Sequence, residues 1–97
     1  MITRFVKLTF KEETVSVFQE IFATTKDRIA AFPGCNGVAL HRDVQNPEVF
    51  FTISEWNSIS DLNAYRKSEL FEETWAKTKV LFADKPEAWS LEIVPGS

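Results

Sequence analysis

The sequence predicts one α+β domain of the ferredoxin-like, split βαβ kind, with an antiparallel sheet and the element order βαββαβ. Three observations predict it. Apolar residues alternate at period two over Ile2 to Phe10, recur at helical spacing from Val15, and return to strand-like runs on both sides of Asn46-Pro47. A second helical pattern after Ser58 and a β-rich run from Trp89 complete the series. With 97 residues there is material for one core, so residues 1–97 are expected to form a single domain.

In the first strand, Ile2, Val6, Leu8 and Phe10 share one side and Phe5 lies on the other. Thr9-Phe-Lys-Glu12 has the spacing of a capping box, and Glu12 and Glu13 put negative charge where a helix dipole favours it, so a helix is expected to start there. Val15, Phe18, Phe22, Thr25, Ile29 and Phe32 form its stripe, opposite Glu20, Lys26 and Asp27, and Pro33-Gly34 ends it. Val38 and Leu40 mark a second strand running through His41, and the Asn46-Pro47 turn leads into a third, Glu48 to Trp56, which makes a hairpin. Ser58 opens a short helical segment carrying Leu62 and Tyr65, and Ser68, followed by Glu69, Glu72 and Glu73, reads as a fresh helix start. That later helix carries Phe71, Trp75, Thr78 and Phe82 on one face and stops before Pro86; Trp89 to Val94 is the last strand.

Composition narrows the function classes. Hydrophobic residues are 44% and charged residues 26% of the chain, which suits a globular protein. Eleven Lys and Arg are dispersed among fourteen acids, with net charge −3 and no basic cluster, which argues against nucleic acid. There is no apolar run of about 18 residues, so no membrane partner is expected. A single unpaired cysteine, Cys35, fits a reducing compartment, and a cytoplasmic location is the expectation. No GxGxxG loop, GxxxxGK[ST] loop or CxxC pair occurs, and one histidine, His41, cannot build a multi-histidine site, so neither cofactor nor metal is expected.

Phe50 and Phe51 are adjacent in a strand and must point to opposite faces. Both faces of the sheet are therefore apolar, while two helical layers can cover only one. A second copy packed face to face would cover the other, burying either Val49, Phe51 and Ile53 or Phe50 and its neighbours. Each large aromatic buried this way contributes roughly 1.5–3 kcal/mol, so a homodimer is expected.

Glu55-Trp56-Asn57-Ser58, then Leu62, Tyr65, Ser68 and Phe71, together with Pro33-Gly34-Cys35, resemble the antibiotic biosynthesis monooxygenase family of dimeric α+β barrels, and the likeness spans almost the whole chain. The resemblance implies a pocket between sheet and helices, which in some relatives oxidises phenols or quinols with oxygen and no bound cofactor. Tyr65 falls where many such sequences carry histidine and Leu70 where a second histidine is frequent, so both proton carriers are replaced. In haem-degrading relatives the position of Trp75 is the iron-binding histidine, that of Tyr65 is tryptophan, and a first-strand asparagine corresponds to Val6. Indole nitrogen is only a donor and cannot ligate iron, which disfavours haem degradation.

Among residues able to do chemistry, His41 is the first candidate base because its ordinary pKa lies near neutrality; the bland alternative is a solvated strand-end histidine. Tyr65 and Trp75 each offer an apolar ring with one polar atom to orient a flat substrate, against a reading as core packing. Phe71 is expected in the pocket wall. Arg42 and Glu55 could select a charged ligand or pair across the hairpin. Cys35 has no neighbouring base and reads as inert, and Trp56 and Trp89 read as structural. The functional expectation is a small cofactor-independent oxygenase acting on a phenolic or quinol-type aromatic; the alternative is a non-catalytic, ligand-binding or stress-associated dimer.

Overall fold

In the computed structural model, which describes residues 1–97, strands β1 (Ile2–Thr9) and β3 (Val49–Trp56) form the middle of the sheet. β2 (Cys35–Arg42) pairs with the free edge of β3 and β4 (Glu87–Leu91) with that of β1. The order is β2-β3-β1-β4 with every pair antiparallel. Helices α1 (Val15–Ala30), α2 (Ile59–Arg66) and α3 (Glu69–Lys79) complete the ferredoxin-like α+β fold.

The predicted helix starts at Ser58 and Ser68 both form. Each serine has extended backbone, and its Oγ accepts from a backbone N–H three residues on, Asp61 at 3.1 Å and Phe71 at 3.2 Å. The Ser68 hydroxyl also donates to the Tyr65 carbonyl at 2.6 Å, so one side chain closes α2 and opens α3. The expected Thr9–Glu12 capping box does not form. Thr9 is the last residue of β1, opposite Val49, and α1 is entered through a single 3-10 turn, Glu12–Thr14, with Lys11 at its cap. Thr14 instead donates its hydroxyl to the carbonyls of Lys11 and Leu81, each at 2.9 Å, fastening the helix start to the segment after α3. Strand pairing used the backbone that the capping box required.

Strand boundaries also differ from the expected ones, most of all in β4 and β2. β4 starts at Glu87 and stops at Leu91, because its partners on β1 run from Lys7 to Thr3. β2 begins at Cys35, with a bulge between Cys35 and Gly37. Gly34, at φ +85°, turns the chain from α1 into β2 so close to α2 that a side chain there would overlap Asp61.

Alternation places Arg4, Val6 and Leu8 of β1 and Phe50, Thr52, Ser54 and Trp56 of β3 on the helix-covered face. Leu8, Phe10, Phe18 and Phe50 form the buried core there, with the Phe10 and Phe18 rings stacked at 4.2 Å. Phe82 lies beyond the end of α3 rather than on it, bridging to Phe10 and packing on Trp75 at 5.5 Å. The opposite face carries Phe5, Phe51, Ile53 and Trp89 and has no layer over it; Trp89 is 43% exposed. Of the two adjacent phenylalanines, Phe50 is therefore the core residue and Phe51 faces outward.

Candidate active site

Between sheet and helices lies a cavity of about 340 Å³. Its floor is Val6, Val38, Thr52 and Ser54 from the strands, one side is the apolar stripe of α1, and Tyr65, Phe71 and Trp75 form the roof. Helical spacing explains the roof. Tyr65 follows buried Leu62 by three residues and Trp75 follows Phe71 by four, so each pair projects from one side of its helix.

The aromatics form a continuous wall. Tyr65 stacks on Trp56 with centroids 5.0 Å apart and meets the edges of Phe32 at 5.4 Å and Phe71 at 5.3 Å. Phe71 lies parallel to Trp75 at 5.9 Å. Of these, Tyr65, Phe71 and Trp75 line the cavity, which they leave open, and Trp56 and Phe32 back the wall from outside it. The indole Nε1 of Trp56, which has no exposed surface, donates to Ser54 Oγ at 2.9 Å, so that ring is held by a polar anchor as well as by packing.

Three hydroxyls around the cavity already have partners: Thr25 and Thr78 donate back to their own helix carbonyls and Ser54 accepts from Trp56. The Tyr65 hydroxyl has no partner within the chain and is not sealed from solvent. Burial pushes its pKa up to about 12, with a smaller contribution from Cys35. Tyr65 is thus a neutral phenol at physiological pH, suited to donating a hydrogen bond and unable to serve as a base. Arg4 and Arg66 also reach the cavity, where burial and their mutual repulsion lower the Arg4 pKa from its ordinary value.

The remaining expected site residues lie elsewhere. His41 is exposed on the outer face, opposite Phe51 across the hairpin, so the sheet separates it from Tyr65 in the same chain. Arg42 sits over the Phe50 ring at 4.9 Å, beside a shallow groove formed with Glu12 and Pro47. Glu55 is on the outer face, accepting from the Thr3 hydroxyl at 2.9 Å. Arg42 and Glu55 do not pair: their hairpin partners are Phe50 and Gly37. The structure thus brings Tyr65, Phe71 and Trp75 together and leaves His41, Arg42 and Glu55 outside. Arg4 was legible as a charge interrupting the Ile2, Val6, Leu8 side of β1; nothing local marked Arg66.

The model of the antibiotic biosynthesis monooxygenase family matches residues 1–77. This chain belongs to that family. As a member of the antibiotic biosynthesis monooxygenases it shares the fold of solved structures across its whole length. An antibiotic biosynthesis monooxygenase structure aligns with TM-score 0.91 at 18% identity, covering 98% of this chain and 100% of that one. A conserved protein from Methanosarcina mazei Go1 aligns with TM-score 0.87 at 21% identity, covering 94% and 91%. A Mycobacterium tuberculosis protein gives TM-score 0.88 at 12% identity, covering 99% and 97%. No curated protein matches the sequence. No helix is long and apolar enough to cross a membrane.

Proposed function

We propose that this family member is a small oxygenase that oxidises a hydroxylated aromatic compound with O2, without a bound cofactor. The observation supporting this reading best is the open cavity, whose aromatic roof and apolar floor suit a flat ring and whose Tyr65 hydroxyl is a free hydrogen-bond donor. About 340 Å³ lies toward the small end of ligand sites, which span roughly 300–1,000 Å³, so the substrate has one or two rings.

The chemistry needs no external reductant if the substrate supplies all the electrons. A phenol with an open para position consumes one O2 and gives a quinone and one water: one oxygen atom forms the new carbonyl, and the other leaves with the phenolic proton and the ring hydrogen. Loss of the phenolic proton to water starts the sequence by making the ring electron-rich. In this reading Tyr65 donates to the phenolate oxygen, while Trp75 and Phe71 hold the ring and exclude water. His41 takes no part within its own chain, and stabilisation of the phenolate replaces general-base catalysis. The protein works in the cytoplasm as a homodimer joined through the Phe5, Phe51, Ile53 and Trp89 face.

Oxygen uptake with a panel of phenols and naphthols that have an open para position tests the reading. Turnover above a heat-denatured control, reduced about 10²-fold in Tyr65→Phe, is the expected result. Absence of turnover across the panel, with ligands still bound, would instead support a non-catalytic binding protein. The observation favouring that second reading is that no imidazole lines the cavity.

A further inference from the structure

Arg4 belongs to the helix-facing side of β1, between Ile2 and Val6, where alternation otherwise directs apolar residues. Arg4 is only half-buried there, so its guanidinium keeps contact with solvent while lining the cavity. The structure gives Arg4 one side-chain hydrogen bond, from Nη1 to the neutral Ser90 Oγ at 2.9 Å, opposite it on β4. Arg66, in the last turn of α2, one residue after Tyr65, brings a second guanidinium to the same cavity. Burial, and after it the charge of Arg66, lowers the Arg4 pKa from its ordinary value. The one acid lining the cavity, Glu87, lies opposite Lys7 on the ladder and pairs with it at 4.0 Å, the chain's one ion pair. No carboxylate of the protein therefore pairs with either arginine.

Two guanidiniums without a carboxylate partner line one aromatic-walled cavity, Arg4 half-buried and Arg66 exposed, and both are open to a ligand. Each is a planar fork whose donors match the two oxygens of a carboxylate. Tyr65 belongs to the aromatic wall and is adjacent in sequence to Arg66, so the anion is carried on the ring itself or on a short arm. We propose that Arg4 and Arg66 form a carboxylate-recognition subsite, and that the ligand of this cavity is an aromatic hydroxy acid. This names the substrate class for the oxygenase reading and rests on it only for the word substrate; the subsite itself is a property of binding.

Binding under anaerobic conditions separates the two. Quenching of the protein's tryptophan fluorescence is titrated with 1-hydroxy-2-naphthoate, with 1-naphthol as the neutral counterpart and 1-naphthyl phosphate as a phosphate-bearing one. The hydroxynaphthoate is expected to bind at least about tenfold more tightly than naphthol, the size expected of a charge-assisted contact, and more tightly than the phosphate. Arg66→Gln, at an exposed position, should remove most of that preference, and Arg4→Gln the remainder, with circular dichroism confirming that each variant folds. Equal affinity for acid and naphthol in the unmodified protein would overturn the subsite whether or not naphthol is oxidised. Tighter binding of the phosphate would overturn the assignment to a carboxylate. Preferential binding of the acid without oxygen uptake would keep the subsite and remove the oxygenase reading.

Discussion

Tyr65 stacks on Trp56 at 5.0 Å and 27°, so the aromatic that roofs the cavity is supported by the most deeply buried side chain of the sheet. Stability and site geometry therefore depend on the same pair. Trp56→Ala should cost about 3–5 kcal/mol, because it leaves a cavity and strands Ser54 without its donor. Tyr65→Phe, which keeps the stack, should cost under about 1.5 kcal/mol. Urea denaturation of the two variants measures the contrast; equal losses would show that the stack does not hold the roof.

The chain has one tyrosine, so phenolate absorbance reports Tyr65 alone. Burial raises its pKa in the folded state from 10.0 to about 12. A raised folded-state value means that the stabilisation is fully present below pH 10 and is lost as pH climbs through about 12, because the unfolded chain ionises first. An alkaline titration should show ionisation well above the ordinary tyrosine range. Urea unfolding should show stability declining across that window, and Tyr65→Phe should flatten the decline. Ionisation near pH 10 in the folded protein would contradict the raised pKa that partial burial of Tyr65 produces.

Adjacent Phe50 and Phe51 should respond in opposite ways to the same substitution. Phe51→Asp places a charge on the uncovered face and should convert a dimer to a folded monomer, read by light scattering. Phe50→Asp buries an unpaired charge among Leu8, Phe10 and Phe18 and should unfold the chain. A protein already monomeric before substitution would remove the proposed dimer.

Gly34→Ala combines a left-handed backbone angle with an overlap on Asp61, which is itself bonded to the Ser58 cap. A loss of about 1–3 kcal/mol is expected, visible as a lower melting temperature. Gly96→Ala, in open space at a similar φ near the C-terminus, should cost less. Equal melting temperatures for the two variants would contradict the Gly34–Asp61 approach.

Titration with haemin should give no one-to-one complex with a histidine-ligated Soret band. Trp75 offers an N–H in place of a ligand nitrogen, and His41 lies across the sheet from the cavity. Such a band, abolished in His41→Ala, would restore haem chemistry as a function to consider.

Periodicity and capping in the sequence were enough to determine the order of elements, the break at Ser68 and the aromatic face of Phe71 and Trp75, because these depend on contacts within a few residues. The capping box at Thr9 misled because its local geometry competed with pairing to Val49, forty residues away. Alternation in β3 showed two apolar faces without saying which one the helices cover; only the packed structure assigned Phe50 to the core and Phe51, with His41 beside it, to the outside. The same holds for the cavity's charge. Arg4 and Arg66 are 62 residues apart in sequence, and they line one cavity because α2 packs against β3, the strand beside β1, a relationship that long-range packing sets and no local pattern encodes.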